Sequence, residues 1–395
     1  MKTLKCDKLL TKRQCDVLRG IAIIGILLHN FCHWLALGSP SGSIKENEYD
    51  FVMANSQRMW NYFTHGIDVF APIQFFSFFG HYGVPMFLFL SGFGLVMKYE
   101  RRGAKSVKVM PFLGYYWLKL FRLMILGYVI PTALFVMLGA HGQSWNEVLA
   151  QLALVTNLCF YPNPGAALPS GFGPYWFFGL MLEVYVLYRL IVYPTRNEGC
   201  GSWRWLSPVL VVVFTWLLQE IFASNVDAIH YMRYNVVIAG LPFGLGILVG
   251  RYGMPALPRW AWGALSLLCL LGMAVMSMDY HAWLWSPVVV ILGAMSFVKA
   301  IESSSTGQLA WCAILEKTLV GVGALSSFIF VVHPIVRKPM FTVILNKHDT
   351  LMMSDYLWLI VYVAVTLVLA WLYKLLLKRI PNPRINSEGK LTIKK

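Results

Sequence analysis

The chain has 395 residues, 58% of them hydrophobic and 13% charged, with a formal net charge of +15. A soluble domain carries about 25% charged and 45–50% apolar residues; here the apolar excess falls in blocks long enough to cross a bilayer, which excludes a string of soluble domains. The basic residues sit between those blocks rather than on a solvated stripe, so the charge points to membrane lipids and chain orientation, not to nucleic acid.

Residues 1–16 form a basic leader to the first apolar run, Val17 to Leu37. That run is too long for the core of a signal peptide and lacks a small-residue cleavage site, so it reads as a retained first helix. Further spans are expected at 81–98, 112–138, 175–193, 206–222, 236–250, 258–276, 283–300, 320–336 and 356–377. The stretch 148–160 reads as a short interfacial helix. With the N-terminus in the cytoplasm, 25 Lys and Arg fall on the inner side and 6 on the outer side, with two inside a span. This asymmetry predicts an all-α bundle of about ten transmembrane helices with both termini cytoplasmic. The expected organisation is a cytoplasmic segment 1–16, one transmembrane domain 17–377 and a basic cytoplasmic tail 378–395, in the cell membrane.

Two long outer loops, 38–80 and 139–174, carry Trp60, Asn61 and Tyr62, and Tyr161, Pro162, Asn163 and Pro164. Their rings suit an interfacial belt; together they also suit an external sugar-binding surface. The seven cysteines are scattered and form no CxxC pair, so neither a disulfide framework nor a zinc ribbon is expected.

Ionisable groups inside a span are costly and usually face a cavity or a partner. In the first span Arg19 lies near the cytoplasmic end, and His29 and His33 lie about 18 and 24 Å along the helix from Val17. Their spacing of four puts both imidazoles on one face. A His-x3-His pair also matches a zinc site, but no Glu follows the first histidine and spacing identifies no third ligand, so no metal is expected. Lys119 and Arg122 share a face of the third span and suit an anionic group such as a phosphate. Glu183, about two turns beyond Trp176 in the fourth span, must be paired, protonated or hydrogen-bonded. His333, in the ninth span, fits either a site or a structural hydrogen bond.

Five segments carry a family resemblance. DVLRGIAIIGILLH at 16–29 resembles the opening helix of the acyltransferase 3 family of integral membrane O-acyltransferases. HYGVPMFLFLSGFG at 81–94 is similar to its GVxxFFxLSGF helix, and YWLKLFRL at 116–123 to its basic RxxRL segment. PYWFFGLMLEVY at 174–185 and LSSFIFVVHP at 325–334 are similar to two later helices of the family. The order is the family's, and the resemblance spans about residues 14–380. One departure stands out: nine residues, not ten, separate Arg19 from His29, so a local bulge, a role for His33 or a different pocket is implied.

The resemblance implies a stand-alone enzyme that moves an acetyl or other short acyl group from acyl-CoA, with acetyl-CoA the first candidate, to a hydroxyl of an exported glycan or lipid-linked sugar. No tightly bound cofactor is expected. His29 is the candidate general base with His33 in reserve, since burial keeps an imidazole neutral and so able to accept a proton. Arg19 and Arg122, supported by Lys119, would grip the coenzyme A phosphates. Trp176, Glu183 and His333 would serve the acceptor or support the site. Ser91 offers a hydroxyl, but its neighbours Gly92 and Gly94 suggest close helix packing instead of a nucleophile. The rival class is a transporter or exporter of an acidic metabolite or glycan precursor, which predicts repeated halves with broken helices. No such repeat is found in the sequence.

Overall fold

The computed structural model describes residues 9–36, 39, 41–47, 51–101, 104, 106–137, 144–159, 173–302, 310–341, 349–386 and 389–394. Lys2, Lys5 and Lys8, and the loop residues Tyr161, Pro162, Asn163 and Pro164, lie outside them. The helices are α1 (Lys12–Cys32), α2 (Met53–His65), α3 (Ala71–Phe79), α4 (Gly83–Tyr99), α5 (Val109–Met137), α6 (Trp145–Ala153), α7 (Thr156–Cys159), α8 (Trp176–Leu187) and α9 (Trp203–Ile221). They continue as α10 (Val226–Met232), α11 (Val236–Tyr252), α12 (Arg259–Met276), α13 (Tyr280–Trp283), α14 (Ser286–Ile301), α15 (Ala310–Gly323), α16 (Ser326–Met340) and α17 (Ser354–Leu377).

Each of the ten expected spans coincides with helix, but not all with a straight one. Among the described residues seven helices are long and apolar enough to cross a membrane, or up to nine if two bent pairs are each one span. The expected span 236–250 is preceded by α10 at a bend of 48°, and the expected span 320–336 is broken into α15 and α16 at 72°. The segment 283–300 becomes α14, only 16 residues, about 24 Å of helix against a hydrocarbon core of about 30 Å.

The expected outer loop 38–80 contains two helices, α2 and α3. Gln74 and Ser77 hide α3 from an apolar-run reading, yet Pro72 sits where a helix tolerates it, in the first turn. A short 3-10 turn, Gly80–Tyr82, joins α3 to α4. The tail also departs from an all-α chain: β1 (Asn382–Ile385) and β2 (Leu391–Lys394) pair antiparallel, Asn382 opposite Lys394. Within the stretch 148–160, residues 148–153 belong to α6, which starts at a Ser144–Glu147 capping box, and residues 156–159 form α7.

The chain divides into two units: Met1–Gly94, Leu241–Ser326 and Val343–Val363 in the first, Leu95–Gly240, Ser327–Thr342 and Ala364–Lys395 in the second. In the first, α1 starts at a reciprocal cap: Gln14 N donates to Thr11 Oγ1 and Thr11 N to Gln14 Oε1 at 2.8 Å. Its residues Val17, Leu18, Ala22, Ile23, Ile26 and Phe31 are all buried, as expected of a helix apolar all round. The helix is α-helical through residue 32, with no bulge to absorb the shortened Arg19–His29 spacing.

In the second unit the amide ends of α11 are met by side chains. Asn235 Oδ1 accepts from Val237 N at 3.1 Å and Glu183 Oε2 from Val236 N at 2.8 Å. First-turn amides have no partner within their own helix, so two of those donors are satisfied here from outside.

Candidate functional site

The first unit brings three histidines and a glutamate together. His29, His33, Glu46 and His81 are 4%, 9%, 4% and 5% exposed. The His29 and His33 rings stack with centroids 5.2 Å apart, and the His81 ring meets that of His29 edge-on at 5.7 Å. His29 lies in the last turn of α1 and His33 is its C-cap, still in helical conformation, so four-residue spacing keeps the two on one face. Glu46 and His81 arrive from elsewhere in the chain, and spacing alone singles out neither. The available signal was His81 opening the HYGVPMF segment, and Glu46 among four acids in the outer loop 38–80.

His29 Nδ1 lies 3.0 Å from the Ser77 carbonyl. A carbonyl only accepts, so the proton of the neutral ring sits on Nδ1 and the lone pair on Nε2. His33 Nδ1 contacts Glu46 Oε2. Burial alone would raise the Glu46 carboxyl, but the charge and hydrogen bonding of His33 outweigh it and hold the acid below the usual carboxylate range.

The strap 41–47 that carries Glu46 is pinned along its length. Ile44 N donates to Gln74 Oε1 at 2.7 Å, Ser77 Oγ donates to Ile44 O at 2.7 Å, and Ser43 Oγ donates to His33 O at 3.1 Å. Gly42 O accepts from Gln74 Nε2 at 3.1 Å and Arg58 Nη2 at 2.9 Å. The polar residues that interrupt α3 therefore hold the strap, and Ser77 uses its carbonyl on His29 and its hydroxyl on the strap.

Two cavities lie in the same unit, and none of the four residues lines either of them. One, of about 380 Å³, lies along the strap and mixes rings with polar groups, among them Arg58, Tyr62, Asp68, Phe70 and Gln74. The other, of about 550 Å³, is almost wholly apolar, lined by Ile24, Gly25, Phe76, Phe79, Gly80 and Met273 among others. Gly80 bounds it and packs directly on His29: a Cβ there would fall 2.7 Å from His29 Cβ.

The remaining expected residues have other surroundings. Arg19, in the same unit, pairs with Asp16 at 2.6 Å. Ser91 Oγ donates to the Phe87 carbonyl at 2.8 Å, a bond within its own helix. Gly92 does mark a close helix approach, since a Cβ there would lie 2.3 Å from the Phe243 carbonyl oxygen, but Gly94 has nothing within 4 Å.

In the second unit Lys119 Nζ sits 5.9 Å over the Tyr116 ring. Arg122 caps the last helix: its guanidinium donates to the carbonyls of Leu377 and Ile380, the latter at 3.0 and 3.2 Å. Trp176 is buried edge-on to Tyr234, centroids 5.4 Å apart. Glu183 accepts from Asn157 Nδ2 and from Val236 N. His333 is fully buried and returns Nδ1 to the Ile329 carbonyl one turn back, at 3.1 Å.

Two stability results follow. Arg122→Ala should lower thermal stability by about 1.5–3 kcal/mol, because carbonyls at the end of α17 lose a charged donor, and Lys should restore only part of it. A melting curve of purified protein checks this; an unchanged melting temperature with a raised KM for donor would instead mark a ligand grip. Glu183→Ala should cost about 1–3 kcal/mol by stranding Val236 N and Asn157, with Glu183→Gln milder because it keeps an acceptor.

A family model described as an acyltransferase domain, Acyl_transf_3, matches residues 13–375, nearly the whole chain. No curated protein and no solved structure matches.

Proposed function

The chain belongs to the acyltransferase 3 family, and we propose that it moves an acetyl or other short acyl group from cytoplasmic acyl-CoA to a hydroxyl of an exported glycan or glycolipid. In this reading it is a multi-pass protein of the cell membrane with both termini cytoplasmic, and His29 is the general base. The observation that carries it is the hydrogen bond from His29 Nδ1 to the Ser77 carbonyl. It leaves Nε2 as the basic atom of a buried imidazole that four-residue spacing pairs with a second.

The acceptor hydroxyl gives its proton to His29 Nε2 as its oxygen attacks the thioester carbonyl. The carbon–sulfur bond breaks, and the imidazolium returns the proton to the departing thiolate, so the ring ends neutral. His33, stacked on His29 and held by Glu46, fixes the ring position, and the nearby Glu46 carboxylate favours the positive charge that passes through His29. The polar cavity beside the strap suits the rings and hydroxyls of a sugar, and the apolar one suits the acyl group. Arg19, at the cytoplasmic end of α1, is the candidate contact for coenzyme A phosphates, with Lys119 and Arg122 as further cations.

Purified protein incubated with acetyl-CoA and a membrane glycan extract should release free coenzyme A thiol and add an acetyl mass to the glycan. Movement of the glycan or of an acidic metabolite across vesicles without thiol release would overturn the reading in favour of transport.

A further inference from the structure

Ions of the zinc class take imidazole nitrogens and carboxylate oxygens at about 2.0–2.2 Å, and tetrahedral donors around one ion stand about 3.3 Å apart. His29, His33 and Glu46 each offer one such atom, and the three atoms lie within 4.8 Å of one another. We propose that His29, His33 and Glu46 form a binding site for one divalent zinc-class ion, with His81 beside it as a further donor.

The hydrogen bond made by His29 and the spacing of the rings support coordination. Metal-bound histidines nearly always give their other N–H to a carbonyl or carboxylate, which fixes the tautomer and raises ligand basicity. His29 does this through Ser77, at 3.0 Å. Two imidazoles bound to one tetrahedral ion have ring centroids about 5 Å apart, and the His29 ring stands 5.2 Å from His33 and 5.7 Å from His81.

His81 adds an independent sign. It is 5% exposed, and among the described residues neither of its ring nitrogens makes a hydrogen bond of normal geometry. An imidazole buried in that state is costly, and a bond to an ion beside it would satisfy one of the two nitrogens. The carboxylate also has the right chemistry: imidazoles with one acid make a nitrogen-rich set that offsets one of the ion's two charges and suits zinc or cobalt rather than calcium or magnesium. The pinned strap holds Glu46 at the site, so the small closing needed to reach bonding distance falls on side chains.

An ion on His29 Nε2 takes the lone pair that base catalysis uses. The site itself stands on geometry; its consequence rests on the reading of His29 as base. Under that reading the metal-loaded enzyme is inhibited.

The test uses the full-length protein in detergent, stripped with chelator and then equilibrated with zinc or cobalt. Elemental analysis should find one zinc per chain, and cobalt should give the intense visible bands of a four-coordinate site. His33→Ala and Glu46→Gln should each weaken binding at least tenfold, while His230→Gln keeps it. Should an alanine variant fail to fold, Glu46→Asp, which shortens the ligand but keeps the charge, serves in its place. Less than a tenth of an ion per chain in the unmutated protein, or equal affinity in Glu46→Gln, would overturn the site. Acyl transfer should persist in stripped protein and fall as zinc is added. Transfer that requires zinc would leave the site standing and overturn His29 as a free base.

Discussion

A His29→Ala chain is expected to accumulate in the membrane at a normal level and to lose acyl transfer by a factor of about 10²–10⁴, the usual contribution of a positioned base. The substitution removes the ring whose Nε2 lone pair faces away from the Ser77 bond, and it strands that carbonyl at a cost of about 1–3 kcal/mol. His29→Asn separates the two effects. Its side-chain amide can occupy the Nδ1 position and donate to Ser77, yet it has no basic atom. The Asn chain should therefore approach normal stability and remain inactive. Thiol release from acyl-CoA reads the activity, and immunoblotting of membranes reads accumulation. Near-normal turnover in the Ala variant with His33 intact would sink the assignment.

Gly80→Ala should be a damaging small substitution directly against His29. Its added methyl carbon would lie 2.6 Å from the Gly25 carbonyl oxygen and 2.7 Å from His29 Cβ. Backbone of α1 cannot rotate aside as a long side chain can, so the turn after α3 and α1 must move apart. Overpacking of this kind costs about 1–3 kcal/mol. Displacing His29 by about 1 Å costs about a further 10² in rate, because a reacting group out of line loses its positional advantage. Gly94→Ala is the matched control: nothing lies within 4 Å of its added carbon, and a change within about 0.5 kcal/mol is expected. Melting temperature and turnover measured on both variants decide the matter; equal behaviour would mean that Gly80 does not position His29.

Membrane class, the family and the helical nature of all ten expected segments were legible along the chain, because apolar run length and motif order are local properties. The pairing of His29 with His33 was legible for the same reason: four residues bring a helix back to one face. The bend between α15 and α16 and the helices inside the loop 38–80 were not, since a polar interruption such as Gln74 or Ser77 reads as loop until its partner on the strap is known.

Charges within apolar helices suggest ligand contacts or supports, and two of them also have partners at helix ends. Arg122 meets the carbonyls at the end of α17 and Glu183 the amides at the start of α11. Every helix end needs outside partners, but where one helix ends beside another is a fact of packing that no spacing encodes. The candidate site divides the same way. Periodicity set two imidazoles side by side, whereas Glu46 and His81 reach them only because α3 and the strap fold back onto α1. Contacts across 13 to 52 residues of chain are decided by tertiary burial, and that burial turns a histidine pair into a four-group centre.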